Sequence, residues 1–104
     1  MPSTYTSIHY HIVWCTYLRK PTLTKRGRND LYNYLYGILR NKKCHVYRIN
    51  GVENHLHLAI SLHPSISLAN LIKDMKLASN QMIKSKNLFD NFEGWQEGYS
   101  AFTF

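Results

Sequence analysis

Two runs of strand-forming residues, 44–49 and 52–62, flank the dipeptide Asn50-Gly51, and no other feature of this 104-residue chain restricts its fold as tightly. Asn-Gly suits a two-residue type I′ turn because both residues tolerate positive φ, and such a turn fixes the register of the strands it joins. With only those two residues in the turn, Ile49 faces Val52, Arg48 faces Glu53, Val46 faces His55 and Cys44 faces His57. Directly opposed residues share a face of the sheet, and successive side chains alternate between faces. Leu56, Leu58 and Ile60 therefore point to a core, whereas His55, His57, Ala59 and Ser61 point the other way.

Other elements can be placed around this hairpin. Residues 8–17 are rich in β-branched and aromatic side chains and stop short of Pro21, which predicts a strand followed by a basic turn over 18–28. From Asn29 as a cap, Leu31, Leu35, Ile38 and Leu39 recur at helical spacing, and Arg40, Lys42 and Lys43 close the segment at the negative pole of the helix. Beyond Pro64, Ser65 or Ser67 caps a second helix whose apolar stripe runs through Leu68, Leu71, Ile72, Met75, Ala78 and Met82. Lys73, Lys76, Asn80 and Lys84 fall on another face of it, and residues 95–104 form a last strand with Gly98 as a bulge. The order strand, helix, strand, strand, helix, strand predicts an α+β, ferredoxin-like βαββαβ sandwich, an antiparallel sheet with two helices on one face and the other face open. Residues 1–104 read as a single domain.

Charge is distributed unevenly. Residues 1–50 carry nine basic side chains against the single acid Asp30, while residues 51–104 carry four against five. A field concentrated in this way attracts polyanions, phosphate backbones foremost, although a solvated basic surface accounts for the same numbers. Cys15 and Cys44 lack CxxC spacing and fit a reduced, cytoplasmic setting. No run approaches the roughly 20 apolar residues of a membrane span, and residues 8–17 are too interrupted for a signal sequence.

The chemistry in the sequence centres on His55 and His57. Two imidazoles at i and i+2 on a rigid strand can share one divalent cation without loop entropy to spend. His-x-His alone is a weak motif, and a merely polar strand face is its commoner meaning. His9 and His11 repeat the spacing on the first strand. If Ile8, Tyr10 and Ile12 line the core, all four histidines share the open face, with His9 and His11 as supporting groups before ligands. Cys44 is better read as a small buried hydrophobe than as a thiolate donor. Tyr32, Tyr34 and Tyr36 spread around a helix and read mostly as packing residues, as do Trp14 and Trp95.

Four segments together are more specific. Tyr10-His-Ile-Val-Trp-Cys-Thr-Tyr17 with Arg19-Lys20-Pro21, Val52-Glu-Asn-His-Leu-His-Leu58, Leu71-Ile-Lys-Asp-Met-Lys76 and Trp95-Gln-Glu-Gly-Tyr-Ser-Ala-Phe102 stand in the order found in a known family. The chain resembles the HUH single-tyrosine transposases of bacterial insertion sequences, including their repeat-associated branch. That resemblance implies a usually dimeric ferredoxin-like domain that binds single-stranded or hairpin DNA. His55 and His57 would hold Mg²⁺ or Mn²⁺, which polarises the scissile phosphate, and a tyrosine would form a 5′-phosphotyrosine intermediate. Arg19, Lys20, Arg48, Lys73, Lys76 and Lys84 would neutralise phosphates, and exposed tyrosines could stack bases.

In that family the nucleophile lies on a further helix after the last strand, one turn ahead of a glutamine. Here Gln81 and Gln96 are preceded four positions earlier by Leu77 and Phe92, so Tyr-x-x-x-Gln does not occur. Tyr99 matches a structural position rather than the nucleophile. The expectation is a form with the C-terminal catalytic helix missing, which keeps the fold, the metal pair and the DNA surface and binds without cleaving. A competing reading is a ferredoxin-like nucleic-acid-binding module with no chemistry, which would stack bases on sheet aromatics. Replication initiators and relaxases share the His pair in longer chains. A two-His metallohydrolase needs carboxylates that a chain with six acids, of which Glu53 alone is near, does not offer.

Overall fold

The computed structural model describes residues 7–104. Its element order is β1 (Ile8–Cys15), a single 3₁₀ turn (Tyr17–Arg19), α1 (Lys25–Asn41), β2 (His45–Gly51), β3 (His55–Leu62), α2 (Leu68–Ser85) and β4 (Ser100–Thr103). The strands form one sheet in the order β2-β3-β1-β4, with every pairing antiparallel. This is the ferredoxin-like arrangement expected from the order of elements.

Alternation decides what each strand buries. Ile12 and Trp14 of β1, and Leu56, Leu58 and Ile60 of β3, join Leu31, Leu35 and Leu39 of α1 and Leu71, Ile72 and Met75 of α2 in one buried cluster. Burying a side chain of this size contributes about 1.5–3 kcal/mol, so these few positions outweigh every polar contact described below. Ser67 caps α2, its hydroxyl accepting from the Asn70 N–H at 3.2 Å.

Three local expectations are corrected. The hairpin does not turn at Asn50-Gly51. Asn50 pairs with His57 and Gly51 with Leu56, and the Val52 N–H donates to the His55 carbonyl at 3.0 Å, so Glu53 and Asn54 make the turn. Tertiary hydrogen bonds select it: the Leu23 N–H reaches the Glu53 carbonyl at 2.9 Å and the Thr16 N–H the Asn54 carbonyl at 3.0 Å. Gly51 serves close approach instead, since a Cβ there would lie 3.1 Å from the His55 carbonyl oxygen and 3.3 Å from the Tyr32 hydroxyl. Consequently Cys44 is not opposite His57; it is buried before β2 begins.

α1 starts at Lys25, with Thr24 rather than Asn29 at its cap. Its first turn is basic and solvated except for buried Gly27, where a Cβ would meet the Phe89 ring at 2.6 Å, so the apolar spacing gives no sign of it. The last strand is also shorter than residues 95–104. Trp95 forms an isolated bridge with Thr16, and Gly98, at φ +91, turns the chain before β4 begins. Among the described residues, no helix is long and apolar enough to cross a membrane.

Candidate metal and nucleic-acid site

β1 and β3 lie side by side, with Val13 opposite His57 and Cys15 opposite His55. His9, His11, His55 and His57 therefore share the open face, while Tyr10, Ile12 and Trp14 turn to the core. The His55 and His57 ring centroids are 4.7 Å apart, and the His11 ring stands 5.8 Å from His57. His55 Nδ1 is 2.8 Å from the Asn54 side-chain oxygen, a contact in which Nδ1–H donates, so Nε2 is the ring nitrogen left for another partner. Burial, followed by the neighbouring His55 and His11, holds the His57 imidazole below its ordinary pKa, so it is neutral at neutral pH. Both rings are half-buried and reachable from the open side.

Two imidazoles on adjacent same-face positions suit a divalent cation, with the other coordination positions left to water or phosphate oxygen. Among the described residues no cluster of three or more His, Cys, Asp or Glu side chains surrounds them. A cation here would find two protein ligands, unlike the closed four-ligand sites that hold structural zinc.

The six candidate phosphate-binding cations divide between the two sides of the domain. Arg48 stands on the open face opposite Ala59, two positions along β3 from His57. Arg19 lines a recess of about 270 Å³ with Val13, Cys15 and Tyr99, beside the His55 end of the sheet. Both Leu18 and Arg19 have φ of 55, and the Leu18 N–H is pinned by the Gln96 side-chain oxygen at 2.8 Å. Lys20 pairs with Glu93.

Lys73, Lys76 and Lys84 lie on α2, behind the sheet. Lys73 and Lys76 line a largely apolar cavity of about 360 Å³ with Ile72, Trp95 and Tyr99. The Lys76 ammonium donates to the Gln96 and Gly98 carbonyls at 2.6 and 2.9 Å, fastening the segment before β4 to α2, and burial lowers its pKa. Lys84 is exposed.

Sequence reasoning missed the aromatic side chains on the open face. Phe102 pairs with His11 across β1 and β4, the Phe104 N–H donates to the His9 carbonyl at 3.1 Å, and Tyr47 sits at a β-bulge in β2. The bulge puts Tyr47 and Arg48 on the same side, which strict alternation would forbid. Tyr34 and Tyr36, expected to pack, are exposed on α1, while Tyr32 packs on the core. Trp14 is buried as expected, and Trp95 meets it edge-on at 5.8 Å while its Nε1–H donates to Ser79 at 2.9 Å.

Taken together, the βαββαβ sandwich and the outward histidine pair on its inner strand define a small α+β domain with an open-faced imidazole site. Residues 4–104 match the IS200-like transposase family, and the chain belongs to that family. It is 26% identical over 72 residues to the ISDra2 transposase TnpA of Deinococcus radiodurans, a stretch covering 69% of this chain. The match takes in 51% of that relative, so it spans about half of its length. The fold is shared with a candidate transposase of Deinococcus radiodurans, TM-score 0.86 at 19% identity, over 100% of this chain and 85% of that one. It is also shared with a REP-associated tyrosine transposase bound to a REP hairpin, TM-score 0.70 at 12% identity, over 100% of this chain and 60% of that one.

Proposed function

We propose that this transposase domain binds single-stranded or hairpin DNA as a homodimer, and that His55 and His57 hold Mg²⁺ or Mn²⁺ beside a DNA phosphate. The observation that carries this reading is the outward pair itself, two rings 4.7 Å apart on a rigid strand, with one ring neutral and the other oriented by Asn54. A cation held there would supply Lewis-acid polarisation of the phosphate. The protein's own part is to position: Arg48 and Arg19 flank the pair and neutralise phosphate charge, and the uncovered sheet admits an extended strand. DNA as the partner is supported by family membership and by the hairpin-bound structural neighbour. Dimer formation has free edges to use, since β2 and β4 each lack a second neighbour among the described residues.

In the complete family form, cutting and rejoining would proceed through a phosphotyrosine. Residues 1–104 taken alone contain no Tyr-x-x-x-Gln, and the ring neighbours of the pair are imidazoles, so this stretch is proposed to bind without nicking. The exposed aromatics of the open face favour a second reading, a binding module without metal chemistry.

Fluorescent hairpin DNA titrated with and without Mn²⁺ separates the two. The metal reading expects Mn²⁺ to raise the melting temperature of the protein and tighten DNA binding, with both effects lost in His57→Ala. Indifference to Mn²⁺ and to His57→Ala would leave the pure binder, and a tyrosine-linked product would overturn binding without cleavage.

A further inference from the structure

The rings of the open face continue well past the histidine pair. From His57 the centroids step 5.8 Å to His11 and then 5.5 Å to Phe102, whose plane lies 27° from that of His11. Phe104, two residues further on, stands 5.6 Å from His9, which is 5.4 Å from Tyr47, itself 4.5 Å from His45. With His55 this makes eight flat rings on one face, in two groups of four joined through the backbone at Phe102 and Phe104, from the candidate metal pair to the outer edge of β2. Phe102, Phe104 and Tyr47 are 58%, 65% and 52% exposed, so the core does not use them. Large rings clustered in water on one face mark a binding surface.

What covers them is narrowed by charge. None of the four strands contains an Asp or Glu, and Arg48 stands beside Tyr47. Glu97 borders only the recess beside the His55 end, and strands of π-surfaces and imidazoles without a carboxylate, with a guanidinium alongside, are complementary to flat bases on a phosphate backbone. A second copy laid face to face about a two-fold axis would bring Arg48 to a like surface whose strands offer no carboxylate to pair with it.

We infer that this row is a base-stacking track for single-stranded nucleic acid, leading from His55 and His57 past Phe102 and Phe104 to Tyr47. Successive bases stack on successive rings, and Arg48 takes a phosphate at the outer end. Stacking tolerates any base, because every base has a π-face. The track holds the strand that leaves the metal pair; it makes no chemical step of its own. This inference rests on the DNA-binding reading above and adds the part of the face that grips the strand.

The test uses residues 1–104, a fluorescent oligothymidine and an abasic strand of equal length and charge. The track predicts that oligothymidine binds at least about 10-fold tighter than the abasic strand, and that Phe102→Ala and Phe104→Ala each remove about 10-fold from oligothymidine binding. Abasic binding should be unchanged in both variants. Tyr47→Phe should keep what Tyr47→Ala loses, and Tyr36→Ala on α1 serves as the off-track control. Unchanged melting temperatures certify folding, as expected for exposed side chains. Equal binding of the two strands, or wild-type affinity in both phenylalanine variants, overturns the track while leaving DNA binding intact. Failure to bind any DNA, hairpin included, overturns the DNA reading and the track together. If Phe102→Ala instead converts a dimer to a monomer with DNA affinity preserved, the face belongs to a second copy and the track is wrong.

Discussion

Along β3, Leu56, Leu58 and Ile60 are sealed under the two helices, while His55, His57 and Ala59, each one residue away, keep contact with solvent. The two sets share a backbone, a register and neighbours, and differ in which way alternation sends them. The stabilising side chains and the candidate ligands thereby occupy opposite sides of one strand. The core side makes the strand rigid, and rigidity lets the other side hold two imidazoles at a fixed separation without spending loop entropy.

That division can be broken by substitution. The largest effect belongs to Leu58→Ala, expected to cost about 3 kcal/mol in urea unfolding through lost burial and the cavity left behind. Gly27→Ala comes next. Alanine would ordinarily add about 1 kcal/mol to a helix, but here its methyl group drives into Phe89 and 3.0 Å from the Leu88 carbonyl, and overpacking of this kind costs about 1–3 kcal/mol. Net destabilisation is expected, and a gain in stability would show that residues 88–89 yield freely. The smallest effect is expected of His57→Ala in metal-free buffer, within about 0.5 kcal/mol of wild type. A loss near that of Leu58→Ala would show that the open side also holds the fold together.

The same division explains what could be read from the residues alone. Alternation in β3 and the 3-4 spacing in α1 and α2 are local signals with a buried face behind them, so the elements, their order and the outward histidines follow directly. The turn was not legible, because it is chosen by the Leu23 and Thr16 amides from a distant loop, against the local preference of Asn50-Gly51. The first turn of α1 was hidden because its buried contact is made by a glycine. The aromatic row was hidden for two reasons. Phe102 and Phe104 take their facing from pairing with β1, a non-local register, and Tyr47 occupies a bulge that alternation places on the wrong side. Of the six candidate cations, Lys76 was misread because nothing local to it signals that its ammonium donates to the Gln96 and Gly98 carbonyls.

The bulge in β2 has a consequence for how this surface can change over time. Because Val46 and Ile49 stay on the core side with Tyr47 and Arg48 both outside, β2 carries one residue more than β3 requires across that interval. Deleting Tyr47 would restore simple pairing and move no other side chain to the opposite side. An aromatic group at this corner can therefore be gained or lost as a single-residue insertion or deletion, leaving the interior untouched.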